Sequence, residues 1–444
     1  ETSWIIGSYL IANAMILPIS GWLAIQLGRK TYYQTCLLIF TASSFLCGIS
    51  TNLEMLVFFR IIQGFSGSGL ATSSQAIIVD LFPPEKLGRA FSLYAFGVVM
   101  APVMGPTLGG WITDTFSWEW IFFVNVPIGI LAYLLVKNFI TESERSKQSR
   151  LELLKAGRKI DWVGIILVVV GFGALQIVLE EGNKEGWFES NFIVFTTAIA
   201  LVTLLIGLTW EYYQDHPAVD ISLFANRNFA ISCTLLFTNR FVMLGSTFLV
   251  PYFAQALLDY SATNAGLLLL PGALTLVVMM PMIGYLTDKI DVRKILLFGL
   301  IVFGLALWNL TSLNLQVGFY DLAIFRTYQI FGLSFLSATM MTVGFYYVPP
   351  EKNDNASAMI SLCANTGASM GIAVSTMLIA RNAQIHLNDL TSHASNYNPN
   401  YTEALKELTQ ALQNQGLTAL QASAKAQSMM WDTLTQQASL LAIL

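Results

Sequence analysis

Two arginines stand inside strongly apolar stretches, each followed three residues on by a glutamine: Arg60 and Gln63 in FFRIIQGF at 58–65, and Arg326 and Gln329 in IFRTYQIFG at 324–332. That spacing puts both polar groups on one helix face. An arginine keeps its charge at physiological pH, so the chemistry open to it is to hold an anion or to bias the protonation of a nearby acid. The surroundings repeat as well: FPPEK at 82–86 answers VPPEK at 348–352, and Gly105 answers Gly371. Duplicated halves with polar residues inside apolar spans mark a secondary transporter, whose two bundles rock around a central site. Enzyme chemistry finds little support. Cys36, Cys47, Cys233 and Cys363 lie in separate apolar stretches without metal or disulfide spacing, and His216, His386 and His393 fall in loops. Without a phosphate-binding loop, no nucleotide site on this chain powers transport; no cofactor and no nucleic-acid partner are expected.

These side chains are positioned by an all-helical, polytopic membrane architecture. With 55% hydrophobic and only 11% charged residues, a chain of 444 residues has far too little polar surface for a soluble protein. Stretches long enough to cross roughly 30 Å of hydrocarbon lie near 4–25, 33–50, 54–76, 90–113, 119–137, 161–180, 191–211, 230–256, 263–287, 293–313, 319–346 and 357–380. A further one begins near Trp431. If the loop at 26–32 is cytoplasmic, that side collects most of the 23 Lys and Arg residues, and Glu1 falls outside. Pairing the third span with the eleventh leaves 230–256 without a counterpart, so one more span is expected before Glu1. The domains are then an N-terminal bundle (1–137), a basic cytoplasmic linker (138–160), two additional helices (161–211), a second linker (212–229) and a C-terminal bundle (230–444). Two extra helices keep both halves in the same orientation, as a parallel repeat requires.

The motifs resemble those of the major facilitator superfamily, specifically its fourteen-span drug:proton antiporters of the EmrB type, over essentially the whole chain. GWLAIQLGRK at 21–30 resembles the loop motif between that family's second and third spans, with GYLTDKIDVRK at 284–294 as its second copy. RIIQG at 60–64 resembles the proton-coupling motif, GVVMAPVMGPTLGG at 97–110 the antiporter motif, and WIFFVNVPIG at 120–129 the segment that follows it. The resemblance implies two six-helix bundles plus two helices, proton-driven export of hydrophobic drugs across a bacterial inner membrane, and a periplasmic adaptor leading to an outer-membrane channel.

Residue roles follow from the motifs. The resemblance gives proton coupling to Arg60, Gln63 and Arg326; burying such an arginine costs enough that it should face a bundle interior, or else snorkel to the interface. No Asp or Glu lies deep within a complete span, so the titrating acid is expected in the preceding helix, where the family commonly has it. Gating falls to Gly21, Gly28, Arg29 and Lys30 and to their counterparts Gly284, Asp288, Arg293 and Lys294. Ile25 stands where the family pattern has an aspartate, so Asp288 is expected to carry the contact between bundles alone. Gly97, Gly105 and Gly109 form a small-residue face on a helix bent by Pro102 and Pro106, and Gly110 closes the antiporter motif.

Arg240, mid-span beside Asn239, belongs to no motif; it is either functional or a structural partner of an unseen acid. If it faces the cavity, Arg60, Arg240 and Arg326 make all three interior charges positive, and neutral or weakly acidic amphiphiles are the expected cargo. Asn13, Gln75, Tyr94, Asn239, Arg240, Phe241, Gln255, Asn365 and Met370 are the candidate cavity lining. The long segment 381–430 is expected outside, as a helical hairpin with Leu405, Leu408 and Leu412 on one arm, a break at Gly416, and Leu417, Leu420 and Ala424 on the other. It caps the exit or docks the adaptor. A stand-alone exporter, or a membrane scaffold or sensor that transports nothing, remains the alternative.

Overall fold

The computed structural model describes residues 3–141, 161–214, 217–258, 260–310, 317–395 and 397–443. Most of the basic linker at 138–160 therefore lies outside the described residues. The first half comprises α1 (Ser3–Ile16), a 3-10 turn Leu17–Ile19, α2 (Ser20–Leu27), α3 (Arg29–Gly48), α4 (Leu53–Leu81), α5 (Leu87–Thr115), a single turn Trp120–Phe123 and α6 (Asn125–Phe139). The additional pair is α7 (Trp162–Glu181) and α8 (Asn191–Tyr213). The second half holds α9 (Arg227–Leu257), a short helix Ala262–Leu267, α10 (Leu270–Thr287), α11 (Val292–Leu310), α12 (Phe319–Phe345) and α13 (Asn353–His393). Two helices complete the chain, α14 (Pro399–Asn414) and α15 (Ala419–Ile443).

Local chemistry sets these boundaries. Asn52, Asp161 and Asn226 cap α4, α7 and α9 by accepting backbone N–H bonds from Met55, Gly164 and Asn228 at 2.8, 3.0 and 3.0 Å. Gly28, at φ +86°, turns the chain between α2 and α3 in a conformation that only glycine adopts freely. Among the described residues, nine helices are long and apolar enough to cross a membrane. The expected spans at 33–50, 54–76 and 90–113 also form, as α3, α4 and α5. The first two are richer in Ser, Thr and Gly, whose hydroxyls bond to carbonyls a turn earlier.

The duplication is visible in the packing. α4 lies against α1 and α3, as α12 lies against α10 and α11. Across the halves, α2 meets α13 as α10 meets α5. The main core joins both halves through Phe91, Phe229, Met280 and Leu336, and Phe91 stacks on Phe345 at 5.3 Å. α7 and α8 pack on each other, and α7 leans on α1, where Gly173 leaves room for Met15.

Two features depart from expectation beyond residue 380. Positions 381–398 contain neither Gly nor Pro, so α13 does not stop at the membrane edge; its 41 residues run for about 60 Å at ~1.5 Å each. The hairpin forms as expected around Gly416 (φ +96°), with Leu412 buried and Leu405, Leu408 and Leu417 packed beside it. Its second arm, however, turns Ala422 and Ala426 inward, while Leu420 is 85% exposed and Ala424 also points out. Small alanines let the arms approach more closely than the leucine stripe does.

Candidate translocation site

The two halves are latched at the end where the Arg29 loop lies. Arg29, buried, forks onto Asp354 through Nε and Nη2, both at 2.7 Å, and its Nη1 donates to Asp80 and to the Ala76 carbonyl. A planar guanidinium satisfies two carboxylates at once in a way an ammonium cannot. Gly21 makes the approach possible, since a Cβ there would stand 2.7 Å from the Asp354 carbonyl oxygen. At the pseudo-equivalent junction Gly284 sits against Ser92 and Arg89, where a Cβ would meet atoms at 3.1 and 3.2 Å. Lys30 instead donates to the Lys137 carbonyl at 3.0 Å, tying α3 to the end of α6.

Asp288 does not carry the contact between halves. It is exposed, and among the described residues it forms no ion pair; Arg293 and Lys294 are exposed too. The repeat accounts for the exposed Arg293 beside it: the positions matching Asp80 and Asp354 hold Tyr346 and Gly88, so the second loop motif lacks the two acids that receive Arg29 in the first.

Deeper in, the paired arginines make matching relays. Arg60 donates to Gln63 Oε1 at 2.7 Å, and Gln63 Nε2 donates to Ser44 at 2.6 Å. Arg326 donates to Gln329, which donates to Ser246. Their settings differ. Arg60 is half-buried, bonds the Ile5 carbonyl at 2.9 Å and lies over the rings of Tyr9 and Phe122 at 4.6 and 5.7 Å. Arg326 is 1% exposed, bonds Thr247 at 2.6 Å, and its Nε has no partner among the described residues. Snorkelling is thereby excluded for Arg326.

Between the halves runs a polar seam assembled from several predicted residues. Asn365 donates to Asn13 at 3.0 Å, and Asn13 donates to the Gly64 carbonyl at 3.4 Å. Gln75 donates to Tyr94 at 3.1 Å and to Ser361 at 3.0 Å, leaving its own oxygen without a donor. Arg240 lies within electrostatic reach of the Tyr94 hydroxyl and, among the described residues, has the Met243 sulfur at 3.8 Å as its one weak acceptor. Asn239 beside it is buried with its amide nitrogen unpartnered. Groups left with spare hydrogen-bonding capacity along one seam can be completed by a cargo molecule.

Other candidates lie elsewhere. Gln255 is exposed and joins no bond in the seam; Met370 is 38% exposed. Phe241 stacks on Phe237 at 6.4 Å, and its carbonyl is pressed against Gly371. Gly97, Gly105, Gly109 and Gly110 do not serve as a packed face here: among the described residues, a Cβ on any of them would meet nothing within 4 Å. α5 continues as helix through positions 102 and 106.

Sequence reading missed three elements of this site. Asp80 and Asp354 stand at helix ends, where acids read as ordinary surface charge. Gln176, in the additional pair, bonds Ser369 of α13 at 2.9 Å and so joins that pair to the second half. A lone glutamine near a span end gives no such signal.

The profile of the Major Facilitator Superfamily matches residues 1–372. The multidrug export protein EmrB of Haemophilus influenzae is 34% identical over 400 residues, 90% of this chain and 77% of that protein. EmrB of Escherichia coli K12 is 33% identical, over 95% and 80% respectively. The fatty acid resistance protein FarB of Neisseria gonorrhoeae is 30% identical, over 92% and 79%. Among solved structures, the human organic anion transporter MFSD10 superposes with a TM-score of 0.57 at 16% identity, covering 99% of this chain and 83% of that one. A double-tryptophan mutant of XylE gives 0.57 at 14% identity, covering 86% and 78%.

Proposed function

The chain belongs to the major facilitator superfamily, and on that premise we propose that it is a proton-driven multidrug exporter of a bacterial inner membrane, moving neutral or weakly acidic amphiphiles by alternating access. The observation that carries this reading is the polar seam Asn13–Asn365 and Gln75–Ser361, shared by two duplicated halves and flanked by Arg240, which has no acid partner among the described residues. A cationic cargo would meet Arg240 as repulsion; a carboxylate or phenolate would complete it. That one relative is named for fatty acid resistance supports the acidic class.

In this reading the Arg29 latch closes the cytoplasmic end, and its release lets the halves rock apart. Arg60 couples proton movement to that rocking, fixed by Gln63 and Tyr9 so that its charge bears on any acid that enters its neighbourhood. The extended end of α13 and the hairpin of α14 and α15 project outside and offer helical surface for a periplasmic adaptor and, through it, an outer-membrane channel. Deleting 395–428 is expected to abolish adaptor pull-down while export into proteoliposomes continues.

The test is export of a lipophilic weak acid by the full-length protein in proteoliposomes under an imposed proton gradient. Wild-type protein should move protons against cargo, and Arg60→Ala should abolish pH-driven export while inserting normally. Retained export by that variant, or a strong preference for quaternary cations, overturns the reading.

A further inference from the structure

One buried carboxyl takes no part in the seam or the relays. Glu211, near the end of α8, is 2% exposed. Its Oε2 accepts the Val219 N–H at 3.3 Å, while Oε1 is buried with no partner among the described residues. Oε1 is aimed at Gly164 of α7 and occupies the room that a side chain there would need, at 2.5 Å from where a Cβ would lie. The charged groups around it are few. From α7 it faces Asp161, whose carboxylate caps that helix and accepts the Trp210 indole N–H at 3.1 Å. From the strap 217–225 come Asp220 and, paired to it, Lys352 at 2.6 Å. Among the described residues no cation bonds Glu211. An ionised carboxyl here would face another carboxylate in a buried place; a proton on Oε1 removes that conflict.

The strap leads onward. Val219, held by Glu211, is followed by Asp220, which caps the turn Ile221–Ala225 and holds Lys352; Lys352 also bonds Ser222 at 2.9 Å. Lys352 immediately precedes Asn353 and Asp354, the start of α13, where Asp354 receives Arg29. Polar contacts joined by two short stretches of backbone, 219–220 and 352–354, thus connect the additional helices to the latch between the halves.

We propose that Glu211 is a proton-binding site, separate from the Arg60 and Arg326 relays, that sets the Arg29–Asp354 latch through the strap 217–225. Protonation keeps the carboxyl neutral and seated between α7 and α8; ionisation strengthens its demand for N–H donors and water and shifts the strap. The inference rests on the exporter reading only for what the latch does in transport.

The experiment uses the full-length protein in lipid membranes. Infrared difference spectra between acid and alkaline pH read the protonated-carboxyl band. Spin labels at the exposed positions Thr31 and Glu351, introduced as Thr31→Cys and Glu351→Cys, read the latch distance against pH. Glu211→Gln should remove one component of the band and abolish the pH dependence of the distance. Lys352→Met, which severs the strap but leaves Glu211 in place, should keep the band and abolish the same pH dependence. An unchanged band in Glu211→Gln overturns the proton site, and an unchanged distance profile in either variant overturns the coupling. If the wild-type protein exports no cargo yet band and distance still follow Glu211, the exporter reading fails and this one stands.

Discussion

The two halves carry the same motifs and use them differently. In the first half the loop arginine, Arg29, is buried and holds two acids, one of them from the opposite half; in the second, Arg293 is exposed. Gly371 is pressed against the Phe241 carbonyl of α9, whereas Gly105, its counterpart, has open space. The deep arginines reverse the order: Arg326 is fully enclosed and Arg60 only half so. Duplication therefore supplied a common scaffold, and each half places its polar residues at a different level. The first half latches the end, and the second anchors the interior.

The largest test of this asymmetry is at the loops. Arg29→Ala leaves Asp80 and Asp354 facing each other without a cation, and breaking such a buried pair costs about 3–5 kcal/mol. Thermal unfolding in detergent should drop accordingly, and Arg29→Lys should recover only part, because an ammonium cannot fork. Arg293→Ala should shift stability by less than ~0.5 kcal/mol. Equal effects from the two arginines would erase the distinction.

The glycines give the next contrast. Gly371→Ala drives a methyl into the backbone of α9, which cannot retreat as a flexible side chain can, so roughly 1–3 kcal/mol or more is expected from overpacking. Gly105→Ala meets nothing and should be nearly neutral. Gly284→Ala, with its nearest neighbours at 3.1 and 3.2 Å, should fall between them. Comparing folded yield and melting temperature across the three checks that order directly.

How far the sequence reached depends on the kind of signal each feature leaves. Helix positions, the repeat and the hairpin were legible from apolar run length, self-similarity and the break at Gly416; Asn13, Gln75, Tyr94 and Asn365 stood out as polar residues in apolar surroundings, but not the bonds that join them across the halves. The latch was only half legible. Arg29 belongs to a recognisable motif, but Asp80 and Asp354 sit at helix ends far apart in the chain, and only tertiary packing brings them to one guanidinium. Asp288 misled because a motif position does not by itself fix a contact: it is exposed and, among the described residues, in no ion pair. Glu211 was hidden by lying at the boundary of its span, where an acid reads as solvated. Leu420 shows the limit of a stripe argument in a short hairpin, where alanine spacing decides which face turns in.

The smallest effect separates the two relays. Ser44 and Ser246 each accept a glutamine amide, and removing either hydroxyl leaves a buried N–H without its acceptor, for about 1 kcal/mol. The consequences of that loss differ between the halves. Arg60 keeps the Ile5 carbonyl and the Tyr9 ring whether or not Gln63 is held, so Ser44→Ala should cost little beyond that bond. Among the described residues Arg326 has only Thr247 besides Gln329, so a loosened Gln329 leaves a buried guanidinium with little support. Ser246→Ala should therefore be the more destabilising change. In a double-mutant cycle, its coupling to Thr247→Val should exceed the coupling of Ser44→Ala to Tyr9→Leu. Equal couplings would mean that the enclosed arginine draws its support from the bulk of the packing rather than from these two hydroxyls.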